Sequence, residues 1–83
     1  MAKVKLTEEA GEQINDLPQP IRRRLLEIYA RLAKWPNVSG AKPLRGNLTG
    51  HYRIRTGDYR IIFTIKSDEV IIWKIGYRGG IYD

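Results

Sequence analysis

Gly57-Asp58 stands between two runs of alternating character, Tyr52-Arg53-Ile54-Arg55-Thr56 and Tyr59-Arg60-Ile61-Ile62-Phe63. A two-residue loop of this kind between apolar-alternating segments is a tight hairpin signal. The short loop pairs Thr56 with Tyr59, Arg55 with Arg60, Ile54 with Ile61, Arg53 with Ile62 and Tyr52 with Phe63. Cross-strand partners point to the same side of a sheet. One side therefore collects Tyr52, Ile54, Ile61 and Phe63, and the other collects Arg53, Arg55 and Arg60. A loop one residue longer would set Arg53 and Arg55 beside Tyr59 and Ile61, burying charge or exposing the core.

Other elements fall into place around this hairpin. Residues 2–6 alternate lysine with Val4 and Leu6, as a short edge strand does. Thr7-Glu8-Glu9 starts a helix: the hydroxyl caps a free N–H and the acids meet the positive end of the dipole. Leu6, Ala10, Ile14 and Leu17 recur at helical spacing until Pro18 and Pro20. A second helix from about Pro20 carries the stripe Ile21, Leu25, Ile28, Tyr29, Leu32 and Trp35, and Pro36-Asn37 ends it. Two helices so close in sequence are expected to form an antiparallel hairpin. Val38 to Asn47 reads as a loop. Strands are predicted at 51–56, 59–66 and 70–75, with a second turn at Lys66-Ser67-Asp68-Glu69 and a break at Gly76. In the last strand Ile71, Trp73 and Ile75 are expected to face the helices, and Val70, Ile72 and Lys74 to face outward. The order β-α-α-β-β-β predicts an α+β fold, a helical hairpin packed on one face of a small, mainly antiparallel twisted sheet. One domain over 1–83 is expected from the length.

Charge narrows the partners. The chain has 15 Lys+Arg against 9 Asp+Glu, a net charge of +6. Residues 1–41 hold seven basic and five acidic side chains, and residues 42–83 hold eight and four. The C-terminal half is the expected contact surface for a polyanion. Cysteine is absent and histidine occurs once, so neither a disulfide framework, a thiolate site nor a zinc site is expected. No cofactor is expected. The first residues lack the apolar run of a signal peptide, and no segment reaches the roughly 20 apolar residues of a membrane span. A cytoplasmic protein without a membrane partner is the expectation.

Arg55 opposite Arg60 is a like-charge pair, locally unfavourable. A broken local rule without structural gain points to function. Lys42 and Arg45, in the loop, are candidates for gripping RNA phosphates. Arg22-Arg23-Arg24 reads as a solvated helix face, His51 as a surface histidine, and Trp35 and Trp73 as core residues. Tyr82, near the end, is suited to stacking on a base.

Leu44-Arg45-Gly46, Tyr52-Arg53-Ile54-Arg55, Gly57-Asp58-Tyr59-Arg60-Ile61-Ile62-Phe63, and Gly76-Tyr77-Arg78 with Tyr82 resemble the RelE/ParE superfamily of bacterial and archaeal toxins, over nearly the whole chain. The RelE branch cleaves messenger RNA in the ribosomal A site and is neutralised by a cognate antitoxin encoded beside it. The resemblance implies that Arg60 contacts the scissile phosphate, that Arg53 and Arg55 are the basic pair of the preceding strand, and that Arg78 and Tyr82 complete the site. It implies a metal-independent endoribonuclease with mRNA, the ribosome and its RNA, and an antitoxin as partners, and a toxin–antitoxin hetero-oligomer. Such a reaction needs a base for the 2′-OH, positive charge for the developing oxyanion and an acid for the leaving 5′-oxygen. Arg60 and Arg78 supply charge in a fork that fits phosphate. Tyr82 is assigned to base stacking and proton transfer. Two other functions stay open: a ParE-like inhibitor of DNA gyrase, and an attenuated relative that only binds RNA or antitoxin, the latter suggested by Gly79-Gly80 where relatives are more basic.

Overall fold

Residues 2–77 are described by the structure, a computed structural model. β1 (Lys3–Leu6) leads into α1 (Glu8–Asn15) and α2 (Gln19–Leu32). β2 (Lys42–Pro43), a 3-10 turn (Gly46–Leu48), β3 (His51–Thr56), β4 (Tyr59–Lys66) and β5 (Glu69–Tyr77) follow. Among the described residues the strands form one sheet in the order β1-β5-β4-β3-β2, antiparallel except for the parallel β1–β5 pair. This is the expected α+β arrangement of helices on a mainly antiparallel sheet.

The β3–β4 register is the one the short loop dictates, from Thr56 opposite Tyr59 to Tyr52 opposite Phe63. Gly57 has φ +59, a left-handed turn conformation that favours glycine. A Cβ there would also collide with the Arg24 guanidinium, which α2 lays against the turn. The core-facing side carries Ile54, Ile61 and Phe63, packed with Ala10 of α1 and with Leu25, Ile28 and Leu32 of α2. Tyr52 stacks on Phe63 at 5.6 Å, and Trp35 meets both rings edge-on, at 5.0 and 5.7 Å. Trp35 is thus a core residue, as expected, although α2 itself stops at Leu32.

The structure corrects the reading of three segments. The stretch 38–47 is not all loop: Lys42 and Pro43 pair with Arg53 and Tyr52, adding a fifth strand. Gly76 does not end β5, which continues to Tyr77. Most consequential, β5 does not keep one parity. Val70, Ile72 and Ile75 are buried in the core while Trp73 is 42% exposed. The cause is a bulge: Phe63 pairs with Ile72 but Ile62 pairs with Lys74, leaving Trp73 as the extra residue. Ile75 and Lys74 keep their expected sides, and Val70, Ile71, Ile72 and Trp73 exchange theirs. The carbonyls of Ile72 and Trp73 both turn toward Thr7, taking its N–H at 3.0 Å and its hydroxyl at 3.3 Å. Consecutive carbonyls on one edge are what an extra residue produces. α1 takes a further group of this edge, for Gln13 Oε1 accepts the Ile75 N–H at 2.8 Å. The Thr7 hydroxyl also caps α1 by accepting the Ala10 N–H at 3.2 Å. No helix among the described residues is long and apolar enough to cross a membrane.

Candidate functional site

The face of the sheet turned away from the helices is built in rungs. One rung runs Lys42, Arg53, Ile62, Lys74 across β2, β3, β4 and β5. The next runs Arg55, Arg60, Gly76 across β3, β4 and β5. Cross-strand partners share a side, so five cationic residues occupy two adjacent rungs. The only residue of the second rung without a side chain is Gly76, directly across from Arg60. Lys42 against Arg53 is a second like-charge pair, beside Arg55 against Arg60. Sequence alone had shown one of these, because Lys42 was not placed on a strand.

Ile62 is fully buried yet lies outside the main core, on this charged side. Its apolar wall lets the aliphatic stems of Arg53 and Lys74 flank it while their heads stay polar. With Ile62 covered, what these rungs present to solvent is cationic, a surface suited to an anionic chain. Beyond Ile62, the bulged Trp73 donates its indole N–H to the Thr64 hydroxyl at 2.8 Å. Trp73 therefore belongs to this face and not to the core.

The predicted site residues divide accordingly. Arg53, Arg55, Arg60 and Lys42 share one side and neighbouring rungs. Arg45 precedes the 3-10 turn, past the point where the Leu44 N–H meets the His51 carbonyl at 2.9 Å. It sits at the opposite end of β3 from Arg55 and is not brought to the cluster. Arg78 and Tyr82 lie outside the described residues. His51 is not a plain surface residue: it opens β3, is half-buried opposite Thr64, and its Nδ1 is buried without a hydrogen-bond partner. Arg22 and Arg23 border an apolar groove with Ile14, Leu25, Leu26 and Tyr29 on the helical side. Leu26 is 66% exposed there. Sequence reasoning missed Arg31, which left the apolar stripe of α2 and looked solvated. It is half-buried and donates to the Ser39 carbonyl, so the loop after α2 brings it to the edge of β3.

The α+β scaffold of two helices on a mainly antiparallel sheet is one that its relatives share. The family model described as the ParE toxin of type II toxin–antitoxin systems, parDE, matches residues 4–82. Toxin RelG of Mycobacterium tuberculosis is 32% identical over 82 residues, which is 95% of this chain and 93% of that protein. Toxin RelE of the same organism is 35% identical over 63 residues, 75% of this chain and 64% of that protein. The toxin–antitoxin complex RelBE2 from Mycobacterium tuberculosis contains a chain that superposes with a TM-score of 0.83 at 29% identity, covering 93% of this chain and 91% of that one. This chain belongs to the RelE/ParE superfamily of type II toxin–antitoxin toxins.

Proposed function

We propose that this chain is a ribosome-dependent endoribonuclease that cleaves mRNA in the ribosomal A site, arresting translation in the cytoplasm, and that a cognate antitoxin restrains it. The observation that carries this reading is the placement of Arg55 directly opposite Arg60, with Arg53 on the same side one pleat away. Similarity to RelG and RelE toxins supports the branch. The neighbouring RelBE2 structure, itself a toxin–antitoxin complex, supports the antitoxin. An acidic, amphipathic antitoxin would complement both the cationic face and the apolar groove beside Leu26.

The reaction requires no group beyond RNA, protein and ribosome. The 2′-oxygen bonds to the adjacent phosphorus as its proton departs to a base. The phosphorus–5′-oxygen bond then breaks and the leaving oxygen takes up a proton. The products are a 2′,3′-cyclic phosphate and a 5′-hydroxyl. Arg60 offers paired N–H donors to the oxygens on which charge builds, with Arg55 deepening the positive potential around it. Arg78, which follows β5 in sequence, adds charge, and Tyr82 stacks on a base and assists proton transfer. The ribosome orients the substrate, a contribution worth several kcal/mol.

Purified ribosomes programmed with mRNA test the reading. The wild type should cut at the A-site codon, and Arg60→Ala should lose about 10²–10³-fold in rate, the scale of removing one preorganised oxyanion contact, with its melting temperature unchanged. Intact mRNA together with inhibited gyrase supercoiling would establish the ParE-like function instead. Intact mRNA with retained RNA or antitoxin binding would mark an attenuated relative.

A further inference from the structure

Where β2 ends, the edge of β3 opens into a pocket of about 220 Å³ lined by Arg31, Gly40, Lys42, Arg53, Ile54 and Arg55. Four of the six lining residues are cationic and none is acidic. None of the four has a carboxylate partner among the described residues. The His51 carbonyl faces β2, so by alternation the peptide groups of Arg53 and Arg55 face that edge too. β2 is already over at Lys42, which pairs with Arg53. The Arg55 peptide therefore points at the pocket and not at a neighbouring strand.

Arg31 is held ready. Its Nη2 donates to the Ser39 carbonyl, and a Cβ on Gly40 would stand 3.4 Å from the same nitrogen. Gly40 has φ +86, so the loop follows a path that suits glycine and runs close under the guanidinium. The remaining N–H donors of Arg31 are left for a ligand. A pocket smaller than the ~300–1,000 Å³ of sites that enclose drug-sized molecules suits a compact anion. Arg55 lines this pocket and also stands opposite Arg60, so the two positions adjoin across the β3–β4 ladder.

We propose that the pocket binds a backbone phosphate of single-stranded RNA, at a nucleotide flanking the one engaged by Arg60, and that Arg31 completes it. This rests on the nucleic-acid reading above. An acidic peptide would answer to the same charges, but Ile54 is the one apolar residue lining the pocket and is itself buried, so no apolar side chain there selects among peptide residues. A repeating phosphate chain needs none.

A short 2′-O-methylated RNA, which lacks the attacking hydroxyl, is the probe, and its binding is followed by fluorescence anisotropy between about 50 and about 200 mM salt. Arg31→Gln should weaken binding about tenfold and lower the slope of log affinity against log salt by about 0.7, one single-strand phosphate contact. Lys34→Gln, an equal loss of charge just beyond α2, should leave the slope unchanged. Arg31→Lys should keep the slope. RNA binding by the wild type that Arg31→Gln leaves intact overturns the pocket and spares the nuclease reading. Absence of RNA binding in the wild type overturns the pocket, and the nuclease reading falls with it only where mRNA on programmed ribosomes also stays intact. Loss of acidic-peptide binding in Arg31→Gln with RNA binding untouched makes the pocket a protein site and sinks the inference. A slope lost equally in Arg31→Lys and Arg31→Gln signals a folding defect, which also counts against it.

Discussion

Two opposite corners of the sheet are rich in positive charge, and they are handled differently. At the β1–β5 corner, Lys3, Lys5 and Lys66 surround Glu69, which is paired in register with Lys3 and Lys66 and salt-bridged to Lys5. The hydrogen bond from Lys5, and then the charges of Lys5, Lys3 and Lys66, hold the Glu69 carboxyl below its usual range against the effect of desolvation. At the β2–β3 corner, Arg31, Lys42, Arg53 and Arg55 converge with no acid among them. Basic residues on strands are therefore not evidence of a site by themselves. What separates surface from site here is whether the fold provides the carboxylate. The neutralised corner is a solved electrostatic problem, and the other leaves its problem for a ligand to solve.

Both corners hang on one core, which sets the largest expected effect. Phe63 is fully buried, stacked on Tyr52 and met edge-on by Trp35. Phe63→Ala should cost about 3–5 kcal/mol of stability, read as a lower urea midpoint at unchanged slope. Where the variant remains folded, RNA affinity and its salt dependence should match the wild type. A folded Phe63→Ala protein with a changed salt slope would mean that the core face and the cationic face are not separable.

The next effect is smaller and runs in opposite directions for stability and function. Arg55 faces Arg60 across the β3–β4 ladder. Arg55→Glu replaces a repulsive pair with an attractive one, worth roughly 0.2–1 kcal/mol. The melting temperature should hold or rise slightly, while affinity for uncleavable RNA should fall at least tenfold and the salt slope should shrink by about 0.7. Thermal melts and anisotropy on the same preparation check both signs. A variant that loses stability instead would show Arg55 to be part of the scaffold.

The hairpin and the β5 strand show why some of this was legible in the sequence. Gly57-Asp58 is local, and a two-residue loop leaves one register, so every β3–β4 pair and the grouping of Arg53, Arg55 and Arg60 followed from spacing. β5 offered Val70, Ile71, Ile72, Trp73 and Ile75, an apolar run in which no alternation marks a face. Its bulge at Trp73 depends on Thr7 and Gln13 taking the edge groups, two contacts from an element more than sixty residues earlier. Arg31 was hidden for a similar reason: helical periodicity says which side chains leave the stripe, not what loop passes over them. Lys42 needed a two-residue strand, too short to carry a pattern of its own.

The smallest expected effect tests the neutralised corner. Glu69 titrates below its ordinary 4.5, so its contribution is present above that pH and is lost as pH falls through the lowered folded value. Lys5 titrates above 10.5, raised first by its hydrogen bond to Glu69, so its contribution is full below 10.5 and is lost as pH rises through the folded value. Glu69→Gln removes both limbs. Its melting temperature should lie slightly below the wild type between those limits and converge with it at each extreme, and added salt should narrow the gap because the pair is solvent-screened. RNA affinity should not move, because β1 and β5 lie at the far edge of the sheet from the β2–β3 edge where the phosphate is proposed to bind. If Glu69→Gln instead tightened RNA binding and steepened its salt slope, Lys3, Lys5 and Lys66 would be a latent phosphate site held shut by one carboxylate, and the two corners would differ in regulation and not in kind.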